Sequence, residues 1–244
     1  MRPFITAIGL LLAWEILARA SGVPPYILPP PSRVLLVLVE RWDLLAEQAA
    51  WTAAEMALGL VLGLVLGSLL AIAFVASAVW RRWALPLVIV SQAIPVIAIA
   101  PLLVLWLGYG MASKVAMAAL VIFFPVVSTL YDGLRRTDRG WLDLGRTMDA
   151  SPAALLLQIR LPAALPAFAS GARIAAAIAP IGAVIGEWVG ASAGLGYLMT
   201  LSLARGQTTL AFAALVVLCL LGLALYHATD RLARALVPWQ PQGE

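Results

Sequence analysis

Six runs of apolar residues, at about 4–20, 57–79, 84–107, 114–131, 168–188 and 209–228, decide what this chain can become. A membrane crossing takes roughly 20 apolar residues at about 1.5 Å each, and every run has that length or nearly so. Of the 244 residues, 63% are hydrophobic and 11% charged, whereas soluble domains carry about 25% charged residues. A soluble core of this size has no room for so much apolar surface, so lipid must be the solvent for much of it. The fold class expected is therefore all-α: a polytopic membrane protein with about six transmembrane helices.

The first run is ambiguous. Its basic start, apolar middle and Ala18-Arg19-Ala20 mimic a secretory signal and its cleavage site. Glu15 argues for a retained helix, because it interrupts the apolar region and stands one turn from Arg19, a ready partner. With the N-terminus inside, Arg2, Arg81, Arg82, Arg135, Arg136, Arg139, Arg146, Arg160, Arg173, Arg231 and Arg234 fall on the cytoplasmic side. Arg19, Arg33, Arg41, Lys114 and Arg205 fall outside. Eleven of the 16 basic residues are then inside, which places both termini in the cytoplasm. Trp80 and Trp83 mark the inner boundary, and Trp106, Tyr109 and Trp188 the outer one. The chain divides into an N-terminal helix with an outer linker (1–56), a membrane core (57–237) with a cytoplasmic loop at about 132–166, and a short cytoplasmic tail (238–244).

In the linker, "VPPYILPPPS" cannot be helical, since its prolines remove donors and hold the chain extended. Ser32 is placed to cap a short helix reaching Glu40 to Asp43. The second run carries Gly59, Gly63 and Gly67, one smooth helix face that admits a close neighbour. The third run holds "SQAIPVIAIAP". Its Pro86, Pro95 and Pro101 either free backbone carbonyls along a path through the protein or simply kink the helix.

Several functions are excluded. The net charge of +4 does not gather on one basic face, so no nucleic-acid partner is expected. Single residues Cys219 and His227 allow no disulfide framework, no metal site and no Ser-His-Asp triad. No catalytic residue is assigned, and without GxxxxGK[ST] the chain binds no nucleotide through a P-loop. "GYG" at 108–110 lacks the Thr-Val of a potassium filter and lies beside Lys114. An ATPase-independent secondary transporter or channel is the rival class. It would normally bury ionisable residues in its spans, and the spans as drawn offer only Glu15 and Glu187, near the outer boundary.

The most polar cytoplasmic stretch is "LDLGRTMDASPAALLLQIRLP", residues 142–162. A helix from about Arg139 to Met148 is predicted, then a turn at Asp149, which tolerates the left-handed conformation. Ser151 is a good N-cap and Pro152 a good first helical residue; the second helix should stop before Leu161-Pro162. The pair is apolar through Leu155, Leu156, Leu157 and Ile159. Such a pair either docks a soluble partner or lies on lipid headgroups.

This segment resembles the EAA loop of ABC-importer permeases: Glu-Ala-Ala, three residues, Gly, nine residues, Ile-x-Leu-Pro. Here Asp143 takes the acidic position, Leu144-Gly145 follow, Asp149 stands at the glycine, and Ile159, Arg160, Leu161 and Pro162 close the pattern. "YILPPPS", "IPVIAIAPLLVLWLGYG", "FFPVVSTLYDGLRRTD" and "GEWVGASAGLGYLM" are similar to the nitrate, sulfonate, taurine and thiamine-precursor branch of that family. "YDGLRRTD" and "IGAVIGEWVGASAGLGY" look most like its hydroxymethylpyrimidine-type permeases.

The resemblance implies a permease in the bacterial inner membrane, paired with a second copy, served by an extracytoplasmic binding protein and driven by two cytoplasmic ATPase subunits. The chain itself would bind no cofactor; ATP and Mg would sit on the ATPase. Leu155, Leu156 and Ile159 would supply the apolar contact, and Arg146 and Arg160 would either fix register or remain solvated. For the pathway and gate the candidates are Ser91, Gln92, Pro95, Glu187 and Trp188. Glu187 is alternatively a structural partner for an outer-loop backbone donor or for an arginine such as Arg205. A carboxylate facing the path disfavours anions, which points to a pyrimidine over a sulfonate, taurine or nitrate. "GASAGLGYLM" predicts a short re-entrant turn closing the outer gate.

Overall fold

The computed structural model describes residues 2–239, without the side chains of residues 2–5 and 7. Residues 240–244, most of the expected tail, lie outside the described residues. Helices make up nearly all of the rest: α1 (Arg2–Ala20), α2 (Pro31–Glu40), α3 (Trp42–Ala76), α4 (Ala78–Ser91), α5 (Val96–Leu107), α6 (Met111–Arg135), α7 (Arg139–Thr147), α8 (Pro152–Gly190), α9 (Leu195–Ala204) and α10 (Thr208–Leu236).

Among the described residues, α3, α6, α8 and α10 are long and apolar enough to cross a membrane, and α4 with α5 makes a fifth, bent candidate. The described residues thus show four or five candidate spans where about six are expected from sequence. The run at 84–107 is two helices meeting at 103°. Pro95 forces the break, because it has no N–H to donate and holds Ile94 out of the helical region. The first expected span, at about 4–20, falls partly on side chains outside the described set. α3 begins well before the expected start at 57, because its early polar residues do not interrupt a helix. Asp43 and Glu47 stay exposed while Glu55 turns inward.

The core is built where α3, α6 and α8 approach closely. Gly59, Gly63 and Gly67 do form the contact face on α3. A Cβ on Gly63 would lie 2.6 Å from Ile122 Cγ2, and one on Gly67 2.8 Å from Val126 Cβ. Ala118 of α6 is held between Gly59 on one side and Gly182 of α8 on the other. Ala175, Ala176 and Ala179 continue this small-residue seam against Ile122 and Val126. In lipid, where oily side chains gain little by meeting one another, such close backbone contact supplies the packing energy. Leucines such as Leu66, Leu105 and Leu220 point outward instead.

The linker is tied at both ends. Glu15 pairs with Arg19 at 2.5 Å, as its spacing predicted, and also accepts from Ser32 N at 3.0 Å and Ser32 Oγ at 2.8 Å. Ser32 therefore does not cap α2. That helix starts at Pro31, which has no N–H to satisfy, and Ser32 joins α2 to α1 instead. Thr208 Oγ1 donates to the Tyr26 carbonyl at 2.6 Å, fixing the linker to the start of α10. Near the other end of α10, Asp230 accepts from Arg173 of α8 and Arg234, both at 2.7 Å.

Candidate functional site

At one end of α8 stands the predicted helix pair. Asp138 opens α7 by accepting from Gly140 N at 2.6 Å and Trp141 N at 3.3 Å. Asp149 turns the chain at φ 55°, the one non-glycine residue with positive φ among the described residues. That conformation costs roughly 1 kcal/mol. Ser151 Oγ then accepts from Ala154 N at 3.2 Å, and Pro152 begins α8. The Asp138 cap was not foreseen, but the turn at Asp149, the Ser151 cap and Pro152 at the helix start match the sequence prediction.

Two do not. The second helix does not stop before Leu161-Pro162. It passes through a wide i→i+5 turn over Leu155–Arg160 and runs on as α8. Such a turn relaxes the ladder where Pro162 supplies no N–H. Nor do the expected contact residues point outward. A Cβ on Gly145 would lie 2.6 Å from Leu155 Cδ2 and 3.0 Å from Ile159 Cδ1, so both side chains rest on α7. Leu156 and Leu161 pack towards Phe74 and Leu130.

The exposed apolar residues of the pair are Trp141, Leu144, Met148 and Leu157, at 57%, 62%, 75% and 61% exposure. Trp141, Leu144, Met148, Ile159, Pro162 and Trp239 line a cavity of about 420 Å³. Arg146 pairs with Asp143 at 2.7 Å. Arg146 and half-buried Arg160 also border a second cavity of about 450 Å³.

The pathway candidates separate into two surroundings. Ser91, Gln92 and Pro95 gather in the break between α4 and α5. Ser91 Oγ donates to the Val88 carbonyl at 2.7 Å, while Gln92 and Pro95 are exposed. Trp188 is half exposed on α8. Glu187 beside it is 1% exposed, enclosed by α3, α6 and α9. It accepts from Thr52 Oγ1 at 2.6 Å and from Gly196 N. Gly196 N is a backbone donor of the kind a structural Glu187 requires, and the carboxyl is enclosed within this chain. The electrostatic preference for a pyrimidine over an anion loses its basis.

Around Glu187 lies a clamp that sequence reading largely missed. Thr52 Oγ1 accepts from Leu195 N at 2.8 Å, and Gln48 Oε1 accepts from Gly194 N at 2.8 Å. Gly194 has φ +113°, and a Cβ there would strike the Glu187 carboxyl. Only glycine combines that backbone with that closeness. Lys114 of α6, counted from sequence as an outer-loop charge, is 5% exposed and lies 3.3 Å from Glu55 Oε1. Gln48, Thr52 and Glu55 follow i, i+4, i+7 spacing on α3, so the signal was a polar stripe. It lies within residues 21–56, where the prolines of "VPPYILPPPS" signal a linker and mask it. In "GASAGLGYLM" α8 ends at Gly190, and α9 starts at Leu195 with Gly196 N bonded back to Glu187.

The described residues form a bundle of helices long and apolar enough to cross a membrane, with a capped helix pair at one end of α8 and a clamped short helix at the other. Residues 63–240 match the family described as "Binding-protein-dependent transport system inner membrane component", and the chain belongs to it. It is 49% identical over 237 residues to a probable ABC transporter permease protein of Haemophilus influenzae, covering 97% of each chain. It is 38% identical to the formylaminopyrimidine transport permease protein ThiX of Halalkalibacterium halodurans, over 98% of this chain and 96% of that one. It is also 38% identical to the riboflavin transport system permease protein RibX of Chloroflexus aurantiacus, over 97% and 89%. An inward-facing structure of the MetNI methionine ABC transporter superposes with TM-score 0.62 at 25% identity, covering 82% of this chain and 96% of that one. The chain is a multi-pass inner-membrane permease subunit of an ABC importer, not its ATP-hydrolysing part. An ATPase and a binding protein are its partners in such a system. The rival secondary-transporter reading falls with this membership.

Proposed function

We propose that this permease carries a nitrogen heterocycle of the pyrimidine thiamine-precursor type inward, as one of two identical copies, with both termini in the cytoplasm. What carries the mechanical part of the reading is the continuity of α8. One helix runs from the docking pair at Pro152 to Gly190, three residues past Glu187. At 1.5 Å per residue it is roughly 58 Å long. Closure of the ATPase dimer against the pair then moves α8 as a rigid body and shifts the clamp that seats α9, a two-state element biased by nucleotide.

The contact surface is the exposed edge: Trp141, Leu144, Met148 and Leu157, with Asp143 and Arg146 beside it. Leu155, Leu156, Ile159, Leu161 and Pro162 form the layer beneath, and Gly145, Asp149 and Ser151 set the angle of the pair. Ser91, Gln92 and Pro95, exposed at the break of a bent span, are the pathway candidates, with Trp188 near the gate. Glu187 holds that gate from inside the packed protein.

The substrate class is supported by two relatives, each 38% identical over nearly the whole chain and each named for a nitrogen heterocycle. The test is ATP hydrolysis by the permease reconstituted in lipid with its ATPase and binding protein. Stimulation by a pyrimidine precursor and not by riboflavin, taurine, alkanesulfonates or nitrate is the expected result. Stimulation by riboflavin or an anion alone would replace the substrate and leave the coupling scheme standing.

A further inference from the structure

Glu55 and Glu187 are the only buried carboxyl groups among the described residues, at 0% and 1% exposure. They come from α3 and α8, and Thr52, three residues before Glu55 on α3, donates to Glu187 at 2.6 Å, which brings the two carboxyl groups into one buried cluster. From α6 the facing charge is Lys114. From α9 it is the backbone N–H of Gly196 at the positive end of a short helix. Glu187 receives two donors, Thr52 Oγ1 and Gly196 N. Glu55 receives none: neither oxygen has a hydrogen-bond partner, and its 3.3 Å approach to Lys114 Nζ is an ion-pair contact only.

Two carboxylates against one ammonium leave a net negative charge away from water, which is costly. Two ionised carboxylates also offer each other only acceptors. One proton removes both faults, because like charges sharing a dry site do not both ionise.

We propose that the Glu55–Glu187 pair is a proton-binding site: Glu55 carries the proton and donates it to Glu187, whose charge Lys114 balances. Glu187 is the ionised partner because Thr52 and the start of α9 already donate to it. The neutral cluster fastens α9 to three helices without stranding a charge. The site follows from the clamp's geometry and holds whichever solute is carried.

The test is infrared difference spectroscopy on the lipid-reconstituted transporter at neutral pH, wild type minus Glu55→Gln and wild type minus Glu187→Gln. The expected result is loss of one protonated-carboxyl carbonyl band in both differences. In Glu55→Gln the proton's carrier is gone; in Glu187→Gln the remaining Glu55 ionises against Lys114. Loss of only an ionised-carboxylate band in both spectra would overturn the proposal. Should either variant fail to assemble, wild-type permease made with carbon-13 glutamate and combined with unlabelled partners gives the reading. An isotope-shifted protonated-carboxyl band that resists deuterium exchange supports the site, and its absence overturns it.

Discussion

The two ends of α8 are held by opposite means. At the clamp, Thr52, Glu55, Lys114 and Glu187 are buried and polar, and backbone N–H groups of Leu195 and Gly196 complete the network. At the helix pair, Trp141, Leu144 and Met148 are exposed and apolar, while Leu155 and Ile159 close over Gly145. Polar bonds in a dry interior are directional and costly to leave unmade, so the clamp defines one geometry. Apolar contact is non-directional and scales with area, so the pair can bind, release and bind again. One end is held by directional bonds, and the other presents the apolar surface that the proposed coupling requires.

The sharpest way to break the contrast is Lys114→Met. Removing one member of a buried charge group costs about 3–5 kcal/mol, and a large drop in the detergent melting temperature is expected. An unchanged transition would show that the ammonium does not hold the clamp. At the other end, Leu144→Asp with Met148→Asp should weaken ATPase binding by about 2–3 kcal/mol, more than tenfold, with melting unchanged. Co-purification at wild-type yield would remove these residues from the contact. By contrast, Leu155→Ala with Ile159→Ala should lower melting as well, since both pack on Gly145.

Thr52→Val sharpens the account of the clamp. It deletes the donor to Glu187 and the acceptor for Leu195 N, worth about 1–2 kcal/mol in all. Faster amide exchange at the start of α9 is the expected readout, and unaltered protection there would place the hold elsewhere. The smallest effect belongs to Asp149→Gly, which relieves the left-handed strain and should stabilise the pair by about 1 kcal/mol. A loss of stability would mean that the Asp149 side chain contributes more than its backbone costs.

The helix pair was legible because its signals are local. Asp149 in the left-handed turn, the Ser151 cap and Pro152 at the helix start each act within four residues, and the structure keeps them all. Gly59, Gly63 and Gly67 were legible for the same reason, as a repeat on one face. The expected stop at Pro162 failed because a wide turn absorbed the missing donor, a choice that local preference does not dictate. The clamp was hidden because its members lie far apart in sequence, Thr52 bonding Glu187 across 135 positions.

By itself the sequence determined that the chain lives in lipid, that helices cross it and that a capped helix pair interrupts them. Hydrophobic length and capping chemistry are properties of neighbouring residues. Tertiary structure alone decided that Leu155 and Ile159 turn inward, and that Glu55, Lys114 and Glu187 share one dry site. Those outcomes depend on which surfaces meet, and burial is a property of the packed bundle, not of any one segment.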